Sequence, residues 1–176
     1  FSSSATNLVP NDRNGFSDIF LRNMQTGELR RISVAPGGVE ANNDSSDPAI
    51  SADGRYVVFA SNASNLVPGS NQGTQQIYLA DLVSNSISLV SVGLSNAATN
   101  GDSFAPSISA DGRYVAYCSA ASNVVSNDTN GTYDIFVFDR NSGITTLASA
   151  TPSGASGNNS SYNPFINNGM IVFESN

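Results

Sequence analysis

The chain has 176 residues, a net charge of −7, no histidine and one cysteine, Cys118. That length supports one domain with a core of its own, while the acidity disfavours nucleic acid, which needs clustered Lys and Arg against phosphate. Without histidine there is no Ser-His-Asp triad, no Cys-His nucleophile and no usual zinc site, and a lone cysteine forms no internal disulfide.

Cys118 reads as a small buried apolar residue. No run is long and apolar enough for a membrane helix, and none has the pattern of a signal peptide. The abundance of Asn, Ser, Thr and Gly suits an exported protein, so an extracytoplasmic location (periplasmic, cell-surface or secreted) is expected. The chain opens at Phe1 inside a repeat, so it reads as a processed or excised piece.

The repeat organises everything else. "ISADGRYV" at residues 50–57 recurs identically at 108–115, 58 residues later. "SATNLVP" at 4–10 returns as "NASNLVP" at 62–68 and as "AASNVVS" at 120–126. The chain therefore divides into three copies, approximately 1–58, 59–116 and 117–176. In chain order, residues 18–35 give two short apolar runs. Residues 48–92 give four, near 48–51, 56–61, 76–82 and 87–92. A second set of four follows 58 residues on, and residues 164–175 give a final two. In this last copy "INNGMIVFES" has lost two residues, but Asn168-Gly169 keeps the hairpin signal.

The runs are rich in β-branched and aromatic residues and are bounded by Gly, Asn, Asp and Ser, which marks strands and hairpins. No segment sustains a 3.6-residue period, so almost no helix is expected. Four short strands per repeat predict an all-β propeller of four-stranded antiparallel blades. A β-solenoid is the alternative, though its repeats are usually shorter. Runs such as 56–59 are apolar almost throughout because neighbouring blades cover both faces.

The unit "P-x-I-S-A-D-G-R-Y-V-x-[FY]-x-S", followed by "N-x-x-D-I-F-x-x-D" and "T-G" or "N-S-G", resembles the WD40-like propeller repeat of the TolB type. The resemblance covers essentially the whole chain. It implies a non-catalytic propeller of a bacterial envelope or exported protein, in a family whose members are often appended to enzymes or adhesins. Three repeats are too few for a ring, so the chain reads as half of a six-bladed propeller, completed by a second copy or by a longer chain.

Alternating strand direction puts the short turns on one end of the blades and the long loops, 62–75 and 93–105, on the other. The long-loop end is the expected binding face. Phe16, Phe104, Tyr133 and Tyr162 are assigned to these loops, where they either hold a sugar ring or pack blade on blade. A protein or glycan ligand is expected there, which leaves a binding or structural module, a glycan-binding lectin, or the accessory propeller of a hydrolase whose catalytic domain lies elsewhere. Activity within this chain is not expected, because its repeated carboxylates sit in turns.

One motif carries possible chemistry. "NDRNGFSDIF" at 11–20 and "NDTNGTYDIF" at 127–136 share the pattern D-x-N-G-x-x-D. It aligns Asp12, Asn14 and Asp18 with Asp128, Asn130 and Asp134, and in the middle repeat with Ser70, Gln72 and Gln76. Short loops rich in carboxylate and amide oxygen suit Ca²⁺, so two calcium ions per chain are one reading. The pattern departs from an EF-hand, with glycine at its fourth position and no closing Glu. Asp139 is too distant to serve, since five residues of strand span roughly 16 Å. The other reading is a set of Asx-turns that start the third strand.

Overall fold

The computed structural model describes residues 1–70, 73–94 and 96–176. Among them the secondary structure is strand, apart from a short 3₁₀ turn at Pro36–Gly38. The first sheet has three strands, β1 (Ser2–Ser3), β2 (Asp18–Arg22) and β3 (Leu29–Arg31). A small hairpin, β4 (Val34–Ala35) and β5 (Val39–Glu40), follows around the 3₁₀ turn. The second sheet holds β6 (Ser45–Ile50), β7 (Tyr56–Ser61), β8 (Gln76–Asp81) and β9 (Ser86–Leu89). The third repeats it with β10 (Ser103–Ile108), β11 (Tyr114–Ser119), β12 (Asp134–Asp139) and β13 (Ile144–Leu147). The fourth keeps only β14 (Ser161–Asn167) and β15 (Met170–Ser175). Each sheet is antiparallel in sequential order, and none closes on itself.

The uniformly apolar second strands are explained by two cores. All six residues of β7 are buried. Val57 and Phe59 face the core shared with Ile19 and Ile32 of the first sheet, while Tyr56, Val58 and Ala60 face the core shared with Val115, Tyr117 and Phe136 of the third. Burying each such Val, Ile or Phe contributes about 1.5–3 kcal/mol, and a strand covered on both sides needs no polar alternation. An aromatic pair recurs in the same register: Phe1 on Phe20 at 5.7 Å, Phe59 on Tyr78 at 5.8 Å and Tyr117 on Phe136 at 5.7 Å.

Two strand boundaries differ from expectation. The first strands of the second, third and fourth sheets begin earlier than the sequence indicates, because a β-bulge carries each past a proline. Asp47, Ala105 and Asn163 sit just before Pro48, Pro106 and Pro164, with φ of 51°, 49° and 53°. The bulge extends pairing to Ser45↔Ser61, Ser103↔Ser119 and Ser161↔Ser175. It also moves Phe104 and Tyr162 out of loops and into β10 and β14. There they flank Tyr133 at 5.4 and 5.5 Å, a column linking the third and fourth sheets.

The fourth strand ends early, at Leu89 and Leu147. Beyond it a serine hydroxyl takes over the ladder: the Ile77 amide donates to Ser91 Oγ and the Ile135 amide to Ser149 Oγ.

Candidate functional site

At the long-loop end, the third strand of each repeat opens on a fully buried polar side chain: Asp18 on β2, Gln76 on β8 and Asp134 on β12. All three are held alike. Ser33, Ser91 or Ser149 donates its hydroxyl proton to one head-group oxygen, namely Asp18 Oδ1, Gln76 Oε1 or Asp134 Oδ1. The same serine accepts the amide of Ile19, Ile77 or Ile135, at 3.0, 2.9 and 3.0 Å. The backbone frame is thus one site built three times.

The second head-group atom meets a different partner in each copy. In the first repeat Asp18 Oδ2 accepts from Asn14 Nδ2 at 2.9 Å and from Arg31 Nη1 at 3.1 Å. Arg31 Nη1 also lies 3.2 Å from Asp12 Oδ1 and 2.7 Å from Glu40 Oε1. One guanidinium therefore sits among three carboxylates. Burial alone would pull Arg31 down, but hydrogen bonds and charge from Glu40 and Asp18 outweigh it and raise its pKa. Asp12 is raised, by burial above all, with Arg31 opposing.

In the middle repeat the atom is an amide nitrogen: Gln76 Nε2 donates to Thr74 Oγ1 at 2.6 Å and to the Thr99 carbonyl at 3.2 Å. Ser70 turns inward to the Val67 carbonyl and the Tyr78 hydroxyl. Gln72 lies outside the described residues.

In the third repeat the acids return, but Leu147 stands in the place of Arg31 and Ser156 in that of Glu40. Asp134 Oδ2 and the nearby Thr132 Oγ1 are buried without a hydrogen-bond partner among the described residues. Asp128, almost fully buried, has a raised pKa, first because burial disfavours its charge and next because Asp134 repels it. Cys118 on the adjacent strand is a buried thiol pushed up to about 12, mainly by burial and then by the charge of Asp134.

The two asparagines of the motif are loop struts. Asn14 Oδ1 accepts the Phe16 amide at 3.1 Å and Asn130 Oδ1 the Thr132 amide at 2.9 Å, the Asx-turn geometry. Their amide nitrogens reach across to the Ala41 and Gly157 carbonyls. Among the described residues, no group of three or more Cys, Asp or Glu side chains is arranged to hold a metal ion. The acids were legible in the sequence. Arg31 was not, although the exchange of Arg31 for Leu89 and Leu147 at one repeat position was a usable signal.

Around the motif the long loops clasp one another. Asn42 and Ser64 exchange hydrogen bonds, as do Asn100 and Ser122 one repeat later. The opposite end is locked by bidentate pairs, Arg55–Asp81 and Arg113–Asp139, each with a 2.8 Å contact. A groove of about 710 Å³ lies beside the outer strands of the third sheet, between them and the loops around Leu94 and Val125, lined by Val92, Leu94, Val124, Val125, Phe138 and Leu147 among others. Among the described residues, no helix is long and apolar enough to cross a membrane.

No protein-family model matches the sequence, and no curated protein matches it. Solved structures do match the fold. TolB from Acinetobacter baumannii aligns with a TM-score of 0.52 at 17% identity, over 89% of this chain and 31% of that one. The tricorn protease aligns with a TM-score of 0.51 at 17% identity, over 89% of this chain and 17% of that one. The chain thus spans less than a third of either structure. At such identity the likeness speaks to fold, and it agrees with the four-stranded antiparallel sheets packed side by side: the chain has the WD40-like β-propeller fold of the TolB type.

Proposed function

We propose that the chain is a non-catalytic binding or structural module of an exported protein, forming half of a six-bladed propeller. The observation that carries this reading is the complementarity of its two end sheets. The fourth sheet supplies a first and second strand, and the first sheet supplies a third and fourth, preceded only by the short β1. Their registers match. Ser175 pairs with Ser161 as Ser61 does with Ser45, and Ser3 pairs with Asp18 as Ser61 does with Gln76. The outer edge of β15 is thereby cut to pair with β2 of another set of three repeats, replacing β1. Phe173 would then stack on Phe20 as Phe59 does on Tyr78. Val172, at 64% exposure, and Phe165, at 61%, are the apolar residues such closure would cover. Unpaired edges and apolar faces of this kind are what closed propellers remove.

The second set comes from another copy or from a longer chain. For this chain the ring requires a particle of twice 18.2 kDa. Size-exclusion chromatography with light scattering measures it, and a well-folded, monodisperse monomer refutes the ring. The ligand surface is the long-loop end, where polar loops gather on a rigid scaffold, and the ligand is a protein or a glycan. A glycan array separates the two. With no histidine to act as nucleophile activator or general base, the chain serves binding rather than catalysis, and its acidity argues against nucleic acid.

A further inference from the structure

The three copies of the buried acid site solve one electrostatic problem in different ways. The first copy carries two motif acids and a built-in cation, Arg31. The second carries no acid: Gln76 supplies an N–H pair where a carboxylate would place an oxygen, and spends it on Thr74 Oγ1 and the Thr99 carbonyl. The third carries two acids, Asp128 and Asp134, with Leu147 in the arginine's place. Its counterparts of Thr74 and Thr99 are Thr132 and Gly157. The counterparts of both Gln76 Nε2 partners are therefore oxygens, and Asn130 Nδ2, whose counterpart Asn14 Nδ2 donates to Asp18 Oδ2, is hydrogen-bonded to the Gly157 carbonyl instead; neither Asp134 Oδ2 nor Thr132 Oγ1 has a hydrogen-bond partner among the described residues.

We propose that the third repeat binds one hard divalent cation, Ca²⁺ in preference to Mg²⁺, through Asp128, Thr132 and Asp134, and that the first repeat binds none because Arg31 occupies the equivalent position. Two carboxylates call for a double positive charge, and oxygen-only donors call for a hard ion. The Gly157 carbonyl borders the site through its bond to Asn130 Nδ2. Water completes the shell, as it commonly does around calcium. The donors sit on an irregular loop and a strand end, which suits the loose geometry of calcium better than the octahedron magnesium demands. Asn130 holds the loop and is not a ligand, since its Oδ1 is committed to the Thr132 amide. This site stands within one repeat and does not depend on ring closure.

The test is calorimetric titration of the chelator-stripped chain with CaCl₂, paired with thermal melts in CaCl₂ and in EDTA. One ion per chain is expected, with MgCl₂ binding more weakly. At a hundredfold excess over Kd the melting temperature should rise by about 5–10 °C. Asp134→Asn should abolish both effects. Leu147→Arg should abolish them too, by giving the third repeat the first repeat's cation. Asp128→Asn, nearer the surface, gives the same readout if Asp134→Asn does not fold. A folded wild type without heat or calcium-dependent melting overturns the proposal and leaves a proton shared by the two acids. Two ions per chain, or binding that survives both Asp→Asn changes, overturns the placement.

Discussion

Arg31→Leu gives the first repeat the side chain that the third has at Leu147. The arginine side chain is 9% exposed, Asp12 3%, Asp18 0% and Glu40 26%. Removing one partner of a buried ion pair costs about 3–5 kcal/mol, mostly from the charge left behind. Glu40 is partly solvated and adds only about 0.2–1 kcal/mol, as exposed pairs do. Asp12 lies near the loop surface and relaxes more easily than Asp18, so the lower half of the range applies, about 3–4 kcal/mol. For a chain of this length that lowers the melting temperature by about 6–16 °C, at roughly 2–4 °C per kcal/mol. Urea melts of Arg31→Leu, Asp18→Asn and the double variant form a thermodynamic cycle. The double variant should be more stable than Arg31→Leu alone, because neutralising Asp18 removes the stranded charge. A loss below about 1 kcal/mol, or strict additivity in the cycle, would refute the reasoning by making Arg31 no more than a rim charge.

Three further outcomes follow from the geometry. Ala105 holds φ of 49° where the other two bulges use Asp47 and Asn163; Ala105→Asn relieves part of a left-handed cost of about 1–2 kcal/mol and should raise the urea midpoint without changing the slope. A Cβ on Gly112, with φ of +69°, would lie 2.4 Å from Tyr56 Cδ2, whereas its counterpart Gly54, with φ of +70°, has no atom within 4 Å. Gly54→Ala should therefore cost about 1–2 kcal/mol and Gly112→Ala about 1–3 kcal/mol more, and equal losses would argue against a rigid contact between the two sheets. Asp139 is pushed down to about 2, first by its hydrogen bonds from Arg113 and against burial. Its stabilisation is present above the unfolded carboxyl pKa of about 3.9 and is lost as pH falls through 2. The melting-temperature gap between wild type and Asp139→Asn should be full at pH 5 and shrink towards pH 2; a gap that stays constant argues against the ion pair.

The repeat and its strands were legible because a strand buried on both faces leaves a continuous apolar run, as at residues 56–61, and because short turns need Asp-Gly or Asn-Gly. The bulges were not. A residue before proline ordinarily reads as a break, whereas at Asp47, Ala105 and Asn163 the chain turns left-handed and resumes pairing at Ala49, Ser107 and Phe165 with the register shifted by one. The early end of the fourth strand was hidden for a different reason: Ser91 and Ser149 replace a backbone partner with a side-chain oxygen, and no propensity records that exchange. At the candidate site the acids stand in a contiguous motif, but Arg31 comes from another strand and Ser33 from the turn beyond it. Tertiary folding alone brings them together, so the charge balance around Asp18 could be read only as a contrast between repeats.

The serine frame has one more consequence. Ser33, Ser91 and Ser149 present the same hydroxyl, in the same backbone setting, to a carboxylate beside a guanidinium, to a neutral amide and to a carboxylate beside a leucine. The molecule is therefore its own reference panel. A spectroscopic probe of those three hydroxyls, read in a single sample, separates the effect of local charge from that of shape. Temperature, ionic strength and concentration cancel among the three, as they do not when separate variants are compared.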